Sequence, residues 1–218
     1  MARIARIVSP RKPHLVCQSS EHSIFNSPNR RRAYLDILAD CASIYKVKVL
    51  AWSVLRNQAY FVLVPPSAAA MSSFMRVAHT RYARRLHADG LKGEVTPRRF
   101  ASCPLDNEAA RDAIKFVESR PVAAKLAKKP TAYPFSSASL RDKGKGEGAA
   151  LLGIDPAITG RIRGWAKWHA TPVQPQRAEY LKMRMRTGKP AGAVAFIRRI
   201  EQAVGMNLSR GRGRPKGS

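Results

Sequence analysis

The sequence predicts a mixed α/β (α+β) domain followed by a small helical extension. Over residues 1–140, short segments of alternating apolar residues are interleaved with longer segments whose apolar residues recur at helical spacing. A charged, glycine-rich segment at residues 141–152 then interrupts the pattern and is typical of a linker. At 218 residues, the chain is long enough for one main domain and an appendage. We therefore expect a main domain over 1–140, a helical extension over 153–208 and a basic tail over 209–218.

Each predicted element rests on its local pattern. Strands are expected over residues 14–18, 47–53, 52–64 and 95–102. Helices are expected over residues 30–45, 67–87, 107–119, 176–186 and 193–204. Ser27-Pro28 suits a helix start, and Asp106 or Asn107 is available to cap the helix at 107–119. Pro121 marks the expected end of that helix, because proline cannot continue the hydrogen-bond ladder.

Residues 52–66 are the most informative stretch of the chain. Their β-branched and aromatic residues, closed by Pro65 and Pro66, indicate a strand rather than a helix. Arg56 and Asn57 either bend the chain into this strand or lie within it. The polar residues of this stretch, Gln58 among them, are therefore expected on or next to a strand.

The charge balance points to a polyanionic partner. Lys and Arg number 40 against 14 Asp and Glu, which gives a formal net charge of +26. Such a surplus repels itself, and nucleic acid is its most common counter-charge. No apolar run of about 18 residues is present and no signal-peptide pattern opens the chain, so we expect no membrane partner.

The cysteines and histidines give no sign of a local metal site. The three cysteines lack a Cys-x-x-Cys spacing, and we expect them to be reduced and mostly buried. They are Cys17, Cys41 and Cys103. The five histidines likewise show no His-x-His or His-x-x-x-His pair.

Residues 55–60 carry the first of several family resemblances. They read Leu-Arg-Asn-Gln-Ala-Tyr. This resembles the Met-Pro-Asn-His-hydrophobic-His pattern on the central strand of the REP-associated tyrosine transposases, which are HUH single-strand DNA endonucleases. Gln58 and Tyr60 stand where that pattern has its two histidines.

Other short segments resemble the same family in the same order along the chain. Residues 120–126 (Arg-Pro-Val-Ala-Ala-Lys-Leu) resemble the family's Asn-Pro-Val-Arg-Ala-Gly-Leu, and residues 133–137 resemble its Tyr-Pro-Trp-Ser-Ser. Residues 186–190, with Phe196, resemble its Thr-Gly-Arg-Pro segment. The resemblance covers most of the chain and implies a mainly antiparallel central sheet flanked by helices, in a ferredoxin-like HUH-type domain.

The resemblance also implies a damaged active site. In the family the two histidines hold Mg²⁺ or Mn²⁺ against the scissile phosphate, and a tyrosine on a nearby helix attacks phosphorus. Here Gln58 offers one neutral carbonyl oxygen, and the Tyr60 phenol is mostly protonated at neutral pH. Because neither replaces imidazole well, we expect no metal and no other cofactor, and strand cleavage that is impaired or lost.

Two residues of the helix at 67–87 are candidates for the nucleophile position. Alignment with the family helix sets His79 at that position, whereas a shift of one turn makes Tyr82 the attacking residue. Alternatively, Tyr82 is an aromatic residue on the buried helix face and His79 is a polar surface residue. New chemistry with His79 as a base lacks a nearby carboxylate to orient the imidazole.

Basic residues outside the damaged site are the candidate DNA contacts. Arginines of the first two predicted helices are expected to form a phosphate track. They are Arg30, Arg31, Arg32, Arg76, Arg81, Arg84 and Arg85. Trp52, Tyr60, Phe61 and Tyr82 are either base-stacking surfaces or core residues.

The C-terminal tail resembles an AT-hook, whose Arg-Gly-Arg-Pro core lies in the narrow minor groove of A·T-rich DNA. Its residues here are Arg210, Arg212, Gly213, Arg214 and Pro215. The alternative is a solvated basic tail or a nonspecific phosphate contact.

The sequence therefore predicts a cytoplasmic, nucleoid-associated protein that binds hairpin, single-stranded or A·T-rich duplex DNA, with cleavage impaired or lost. The alternatives are an active transposase that uses Tyr82, if Tyr82 faces the Gln58/Tyr60 surface, and a general basic nucleoid or RNA-binding protein.

Overall fold

A four-stranded antiparallel sheet forms the centre of the molecule. The computed structural model describes residues 6–92, 95, 99–162 and 164–207. The strands are β1 (His14–Ser19), β2 (Lys48–Val54), β3 (Gln58–Val64) and β4 (Ala101–Pro104). Their order in the sheet is β2-β3-β1-β4, and every neighbouring pair is antiparallel. The predicted fold class, with a mainly antiparallel central sheet, is confirmed.

Seven α-helices are described, together with short 3-10 turns. They are α1 (Pro28–Tyr45), α2 (Ala68–Ala88), α3 (Asn107–Ala123), α4 (Ser137–Lys143), α5 (Trp165–Ala170), α6 (Pro175–Thr187) and α7 (Val194–Val204). The first three begin at Ser27, Ser67 and Asp106, each of which accepts a hydrogen bond from a backbone N–H of the first turn. Such caps satisfy N–H groups that have no partner within the helix.

The chain order β1-α1-β2-β3-α2-β4 is the ferredoxin-like arrangement. Helices α1 and α2 cover one face of the sheet, where Tyr34 of α1 lies 6.5 Å from Phe61 of β3 between ring centroids. Helix α3 covers the other face, where the Ser53 hydroxyl of β2 donates to the Val117 carbonyl at 2.9 Å. Because strand side chains alternate between faces, Tyr60 and Phe61 point to opposite sides of the sheet.

The stretch 52–66 was predicted as one strand, and this is wrong in part. Trp52 to Val54 end β2, and β3 begins only at Gln58. The Leu55 N–H donates to the Gln58 carbonyl at 2.8 Å, which closes a tight turn through Arg56 and Asn57. Of the two alternatives left open for Arg56 and Asn57, the bend is therefore the observed one.

Two further element boundaries differ from the prediction. Strand β4 starts at Ala101, later than the expected start at residue 95. Helix α3 passes through Pro121 and ends at Ala123. A proline in the last turn removes only one hydrogen bond near the helix end, so its cost is smaller than in the middle of a helix.

The predicted linker and helical extension pack against the sheet domain. Leu151 is buried, and the Gly153 N–H donates to the Val49 carbonyl at 2.8 Å. Leu181 and Met185 of α6 belong to the same hydrophobic core as the sheet. The division into domains at residues 140 and 153 stays a prediction.

The three cysteines are buried and free, as expected. Within the described ranges, no helix is both long and apolar enough to span a membrane.

Candidate functional site

Gln58 and Tyr60 lie two residues apart on β3 and face the same side of the sheet. The Tyr60 hydroxyl donates a hydrogen bond to Gln58 Oε1 at 2.9 Å. Tyr60 is 5% exposed, whereas Gln58 is half-buried at the strand end. The two side chains that the resemblance sets at the family's histidine positions are therefore hydrogen-bonded to each other.

Helix α3 closes over this pair. The Tyr60 ring meets the Phe116 ring edge-on at 6.0 Å between centroids. The Arg120 guanidinium carbon lies 5.1 Å from the Tyr60 ring centroid and 5.4 Å from that of Phe116. Burial raises the pKa of the Tyr60 hydroxyl well above its ordinary value, although Arg120 opposes this effect. Tyr60 is therefore a neutral phenol throughout the physiological range.

The pair offers few ligands to a divalent cation. Its one unprotonated side-chain oxygen, Gln58 Oε1, already accepts the Tyr60 proton. Mg²⁺ and Mn²⁺ bind several oxygen ligands such as carboxylates, carbonyl groups and water, and this pair supplies one neutral carbonyl oxygen. Across the part of the chain that the structure describes, no group of three or more His, Cys, Asp or Glu side chains is placed to hold a metal ion.

Phe116 is a site residue that the sequence reasoning missed. It is the aromatic side chain of α3 that packs on Tyr60, and it carries no hydroxyl group. The segment at 120–126 had marked this helix as part of the resemblance. Only the packing of α3 on β3 shows that Phe116 and Arg120, one helical turn apart, face the Gln58/Tyr60 pair.

His79 lies in the interface of α1 and α2 rather than on the surface. Its Nε2 is 3.0 Å from the hydroxyl oxygen of the buried Tyr34, and the two rings are nearly parallel. Burial lowers the pKa of His79 to about 4, so the ring is neutral at physiological pH. Its contacts are those of a structural residue.

Tyr82 is a buried aromatic residue of α2. It is 2% exposed, and its hydroxyl donates to the Ile24 carbonyl at 2.9 Å. Its ring lies 4.8 Å from that of Tyr34. Because Tyr34 packs on Phe61, Tyr82 lies on the face of the sheet opposite Tyr60. The structure therefore does not bring Tyr82 together with the Gln58/Tyr60 pair.

Three of the seven arginines of the expected phosphate track are already paired with carboxylates. The pairs are Arg32 with Glu147, Arg81 with Asp40 and Arg85 with Asp89, at N–O distances of 2.6, 3.0 and 3.1 Å. Exposed pairs of this kind are weak and do not prevent DNA contact. Arg76 and Arg84 are exposed on α2 and form no ion pair with a described carboxylate.

The other two arginines of the track lie at the start of α1. Arg30 donates to the Asn26 side-chain oxygen at 3.2 Å. Arg31 is buried, and its guanidinium carbon lies 5.2 Å from the centroid of the Phe135 ring. Arg31 is therefore less exposed than a surface arginine that contacts phosphate from solvent.

The aromatic residues considered either as base-stacking surfaces or as core residues lie in the core. Trp52 and Phe61 are fully buried, and Tyr60 and Tyr82 are 5% and 2% exposed. Their core interpretation is the observed one, because a buried ring offers no face to a base.

The AT-hook-like residues lie outside the described residues. They are Arg210, Arg212, Gly213, Arg214 and Pro215. Their role stays a prediction.

Comparison with known proteins finds similarity at the level of solved structures. No protein-family model and no curated protein matches the chain. The solved structure of a REP-associated tyrosine transposase bound to a REP hairpin is similar, with a TM-score of 0.55 and 18% identity. The match covers 75% of this chain and 100% of that chain. At this identity the likeness shows the fold, and the resemblance in fold that the motifs predict is confirmed.

Proposed function

We propose that this protein binds DNA, with hairpin or single-stranded repeat DNA as the substrate, and has lost strand cleavage. The hydrogen bond from Tyr60 to Gln58 is the observation that carries the proposal. It occupies, with a neutral phenol and a neutral amide, the two positions at which the family resemblance implies metal ligands. Binding needs the fold and the positive charge, whereas cleavage needs the missing imidazoles.

Loss of cleavage is also supported by the side chains of α2 and α3, neither of which, over the described residues, brings a tyrosine hydroxyl next to the pair. Phosphoryl transfer by a tyrosine requires its hydroxyl close to the phosphate that the metal activates. Phe116 packs on Tyr60 but has no hydroxyl, and Tyr82 lies across the sheet with its hydroxyl bonded to Ile24. Neither side chain is placed to attack a phosphate held at Gln58 and Tyr60.

The proposed DNA partner is supported by charge and by the structural likeness. The net charge of +26 favours a polyanion, and the similar transposase structure contains a REP hairpin. Arg76 and Arg84 are exposed on α2 and have no ion-pair partner among the described residues. Association with the nucleoid in the cytoplasm follows from DNA binding and is part of the proposal.

The direct test is to incubate the protein with end-labelled hairpin DNA and Mn²⁺, then divide the sample between a native and a denaturing gel. We expect a shifted band on the native gel, weakened steeply by salt, and no detergent-resistant adduct. An adduct that is abolished by Tyr82→Phe would overturn the proposal. An RNA hairpin of the same sequence is the matched competitor, and equal competition would favour a general basic nucleic-acid-binding protein instead.

The tail is tested separately. Deletion of residues 209–218 is expected to weaken binding of A·T-rich duplex more than G·C-rich duplex, because arginines favour the narrow A·T minor groove. Competition between the two duplexes in fluorescence anisotropy measures the difference. Equal loss for both would reduce the tail to a nonspecific phosphate contact.

A further inference from the structure

Arg31 is a largely buried cation with no anionic partner among the described residues. The residue is 9% exposed, and its Nε is buried and makes no hydrogen bond within the described part of the chain. The terminal nitrogens of the guanidinium are not among the buried unpaired atoms, so they reach solvent. The guanidinium carbon lies 5.2 Å from the centroid of the Phe135 ring. Buried charges in proteins are normally paired, because an unpaired one loses its hydration without compensation.

Two other arginines lie near Arg31. The Phe25 N–H donates to the Arg56 carbonyl at 3.0 Å, which holds the β2–β3 turn against the loop that leads into α1. Burial raises the pKa of Tyr133, and Arg31 and Arg56 oppose this effect as nearby positive charges. For the buried Tyr82, Arg30 and Arg31 oppose the increase in pKa, whereas Asp89 adds to it. Arg30 and Arg31 lie in the first turn of α1, and Arg56 lies in the β2–β3 turn that the Phe25 hydrogen bond holds beside it.

No described carboxylate neutralises these three arginines. Neither Arg30, Arg31 nor Arg56 forms an ion pair with a described Asp or Glu. The first turn of α1 contains no acidic residue, so the positive end of the helix dipole is also uncompensated. An anion at this position would interact favourably with all three arginines and with the helix.

We propose that Arg31, with Arg30 and Arg56, forms a binding site for one phosphate group of the bound nucleic acid. The assignment of the phosphate to nucleic acid rests on the function proposed above. The guanidinium group carries a planar set of donors that matches two phosphate oxygens. Phe135 and Tyr133 are 4% and 6% exposed, so this site offers no aromatic face to a base. Its ligand is the backbone and not the nucleobase.

The test compares Arg31→Met with Arg32→Met. Arg32 is the next residue of the same helix turn, but its guanidinium is exposed and already paired with Glu147 at 2.6 Å. The two variants therefore remove the same charge from the same region, with and without an existing partner. Arg31→Lys is a third variant, which keeps the charge and removes the two-donor fork.

Two measurements are made on the full chain. In the first, the melting temperature is recorded in sodium phosphate and in sodium chloride at equal ionic strength. We expect phosphate to stabilise wild type and Arg32→Met but not Arg31→Met.

In the second measurement, hairpin DNA affinity is recorded as a function of salt. We expect Arg31→Met to bind roughly 10-fold more weakly, with the slope of log K against log salt reduced by about one phosphate contact. Arg31→Lys is expected to lie between Arg31→Met and wild type. Arg32→Met is expected to bind more weakly than wild type but less so than Arg31→Met, because Arg32 is a candidate phosphate contact that is already paired with Glu147.

The outcomes separate this inference from the proposed function. If wild type binds the hairpin and Arg31→Met behaves as Arg32→Met in both measurements, the phosphate site is overturned and DNA binding stands. If phosphate stabilises wild type through Arg31 but no hairpin is bound, the phosphate site stands and the proposed function is overturned.

Discussion

Glu118 and Arg31 are both buried ionisable residues, but only Glu118 has oppositely charged partners among the described residues. Glu118 of α3 is fully buried and accepts hydrogen bonds from the Ser137 hydroxyl at 2.6 Å and from Arg141 Nε at 2.7 Å. His169 Nε2 approaches its second oxygen at 3.1 Å. Arg31 has no acceptor among the described residues. The fold therefore supplies counter-charges to Glu118 and, among the described residues, none to Arg31.

This difference in partners indicates that Glu118 has a structural role, whereas Arg31 is a candidate for binding a ligand. Burial alone would raise the pKa of Glu118, but Arg141, His169 and Ser137 outweigh it and lower the pKa below its ordinary value. Glu118 therefore stays ionised and ties α3 to α4 and α5. Arg31 ties no elements together through its charge, which is why we assign it to an external anion.

The largest expected effect is that of Glu118→Gln. Removing this carboxylate leaves Arg141 buried without its counter-charge, which costs about 3–5 kcal/mol of unfolding free energy. Denaturant unfolding followed by circular dichroism measures the loss. Glu108→Gln is the control on the same helix, because Glu108 is 84% exposed and lies 3.5 Å from Arg111. Equal stabilities of the two variants would contradict a structural role for Glu118.

The second-largest expected effect concerns two histidines that are neutral in the folded protein. Burial lowers the pKa of His14 and of His79 from 6.5 to about 4. In the unfolded chain both bind a proton as the pH falls through 6.5, whereas the folded protein does not. Stability is therefore lost between pH 6.5 and 4, by up to about 3 kcal/mol for each histidine.

Unfolding free energy measured across this pH range checks the sign and the size of the loss. His79→Gln is expected to make the dependence on pH shallower, whereas His22→Gln, at an exposed position, is expected to leave it unchanged. A stability that rises as the pH falls from 6.5 to 4 would contradict the neutral, buried state of the two rings.

Much of the fold was predictable because it depends on local sequence. Ser27 and Pro28 start α1 where the sequence indicated, and the two-residue spacing of Gln58 and Tyr60 placed them on one face of a strand. The turn at Arg56 and Asn57 was not fixed by pattern, because apolar residues continue on both sides of it. Its position is set by pairing between β2 and β3.

The surroundings of the site were not predictable, because they join residues distant in sequence. Phe116 reaches Tyr60 only through the packing of α3 on the sheet. Glu118 contacts Arg141, which is 23 residues away in the sequence, and His169, which is farther away still. In the sequence, Arg31 is one of three adjacent arginines that look alike. Only the structure shows that Arg31 is buried, whereas Arg32 is exposed and paired with Glu147.

The smallest expected effect concerns the buried Tyr82 hydroxyl, which already donates a hydrogen bond within the protein. Tyr82→Phe removes the donor to the Ile24 carbonyl, and we expect a loss of about 1 kcal/mol in unfolding free energy. Hairpin affinity in a gel-shift titration is expected to stay unchanged. Tyr45→Phe is the control, because the Tyr45 hydroxyl forms no hydrogen bond with a described residue. A large loss of DNA affinity in Tyr82→Phe alone would place Tyr82 in the binding site.

Isothermal titration of Mn²⁺ into the wild-type protein tests the central claim most directly. The Gln58→His/Tyr60→His variant is the positive control, since it restores imidazole at both positions. We expect no saturable uptake by wild type and measurable uptake by the variant. Tight binding of one Mn²⁺ by wild type that is lost in Gln58→Ala would contradict the account.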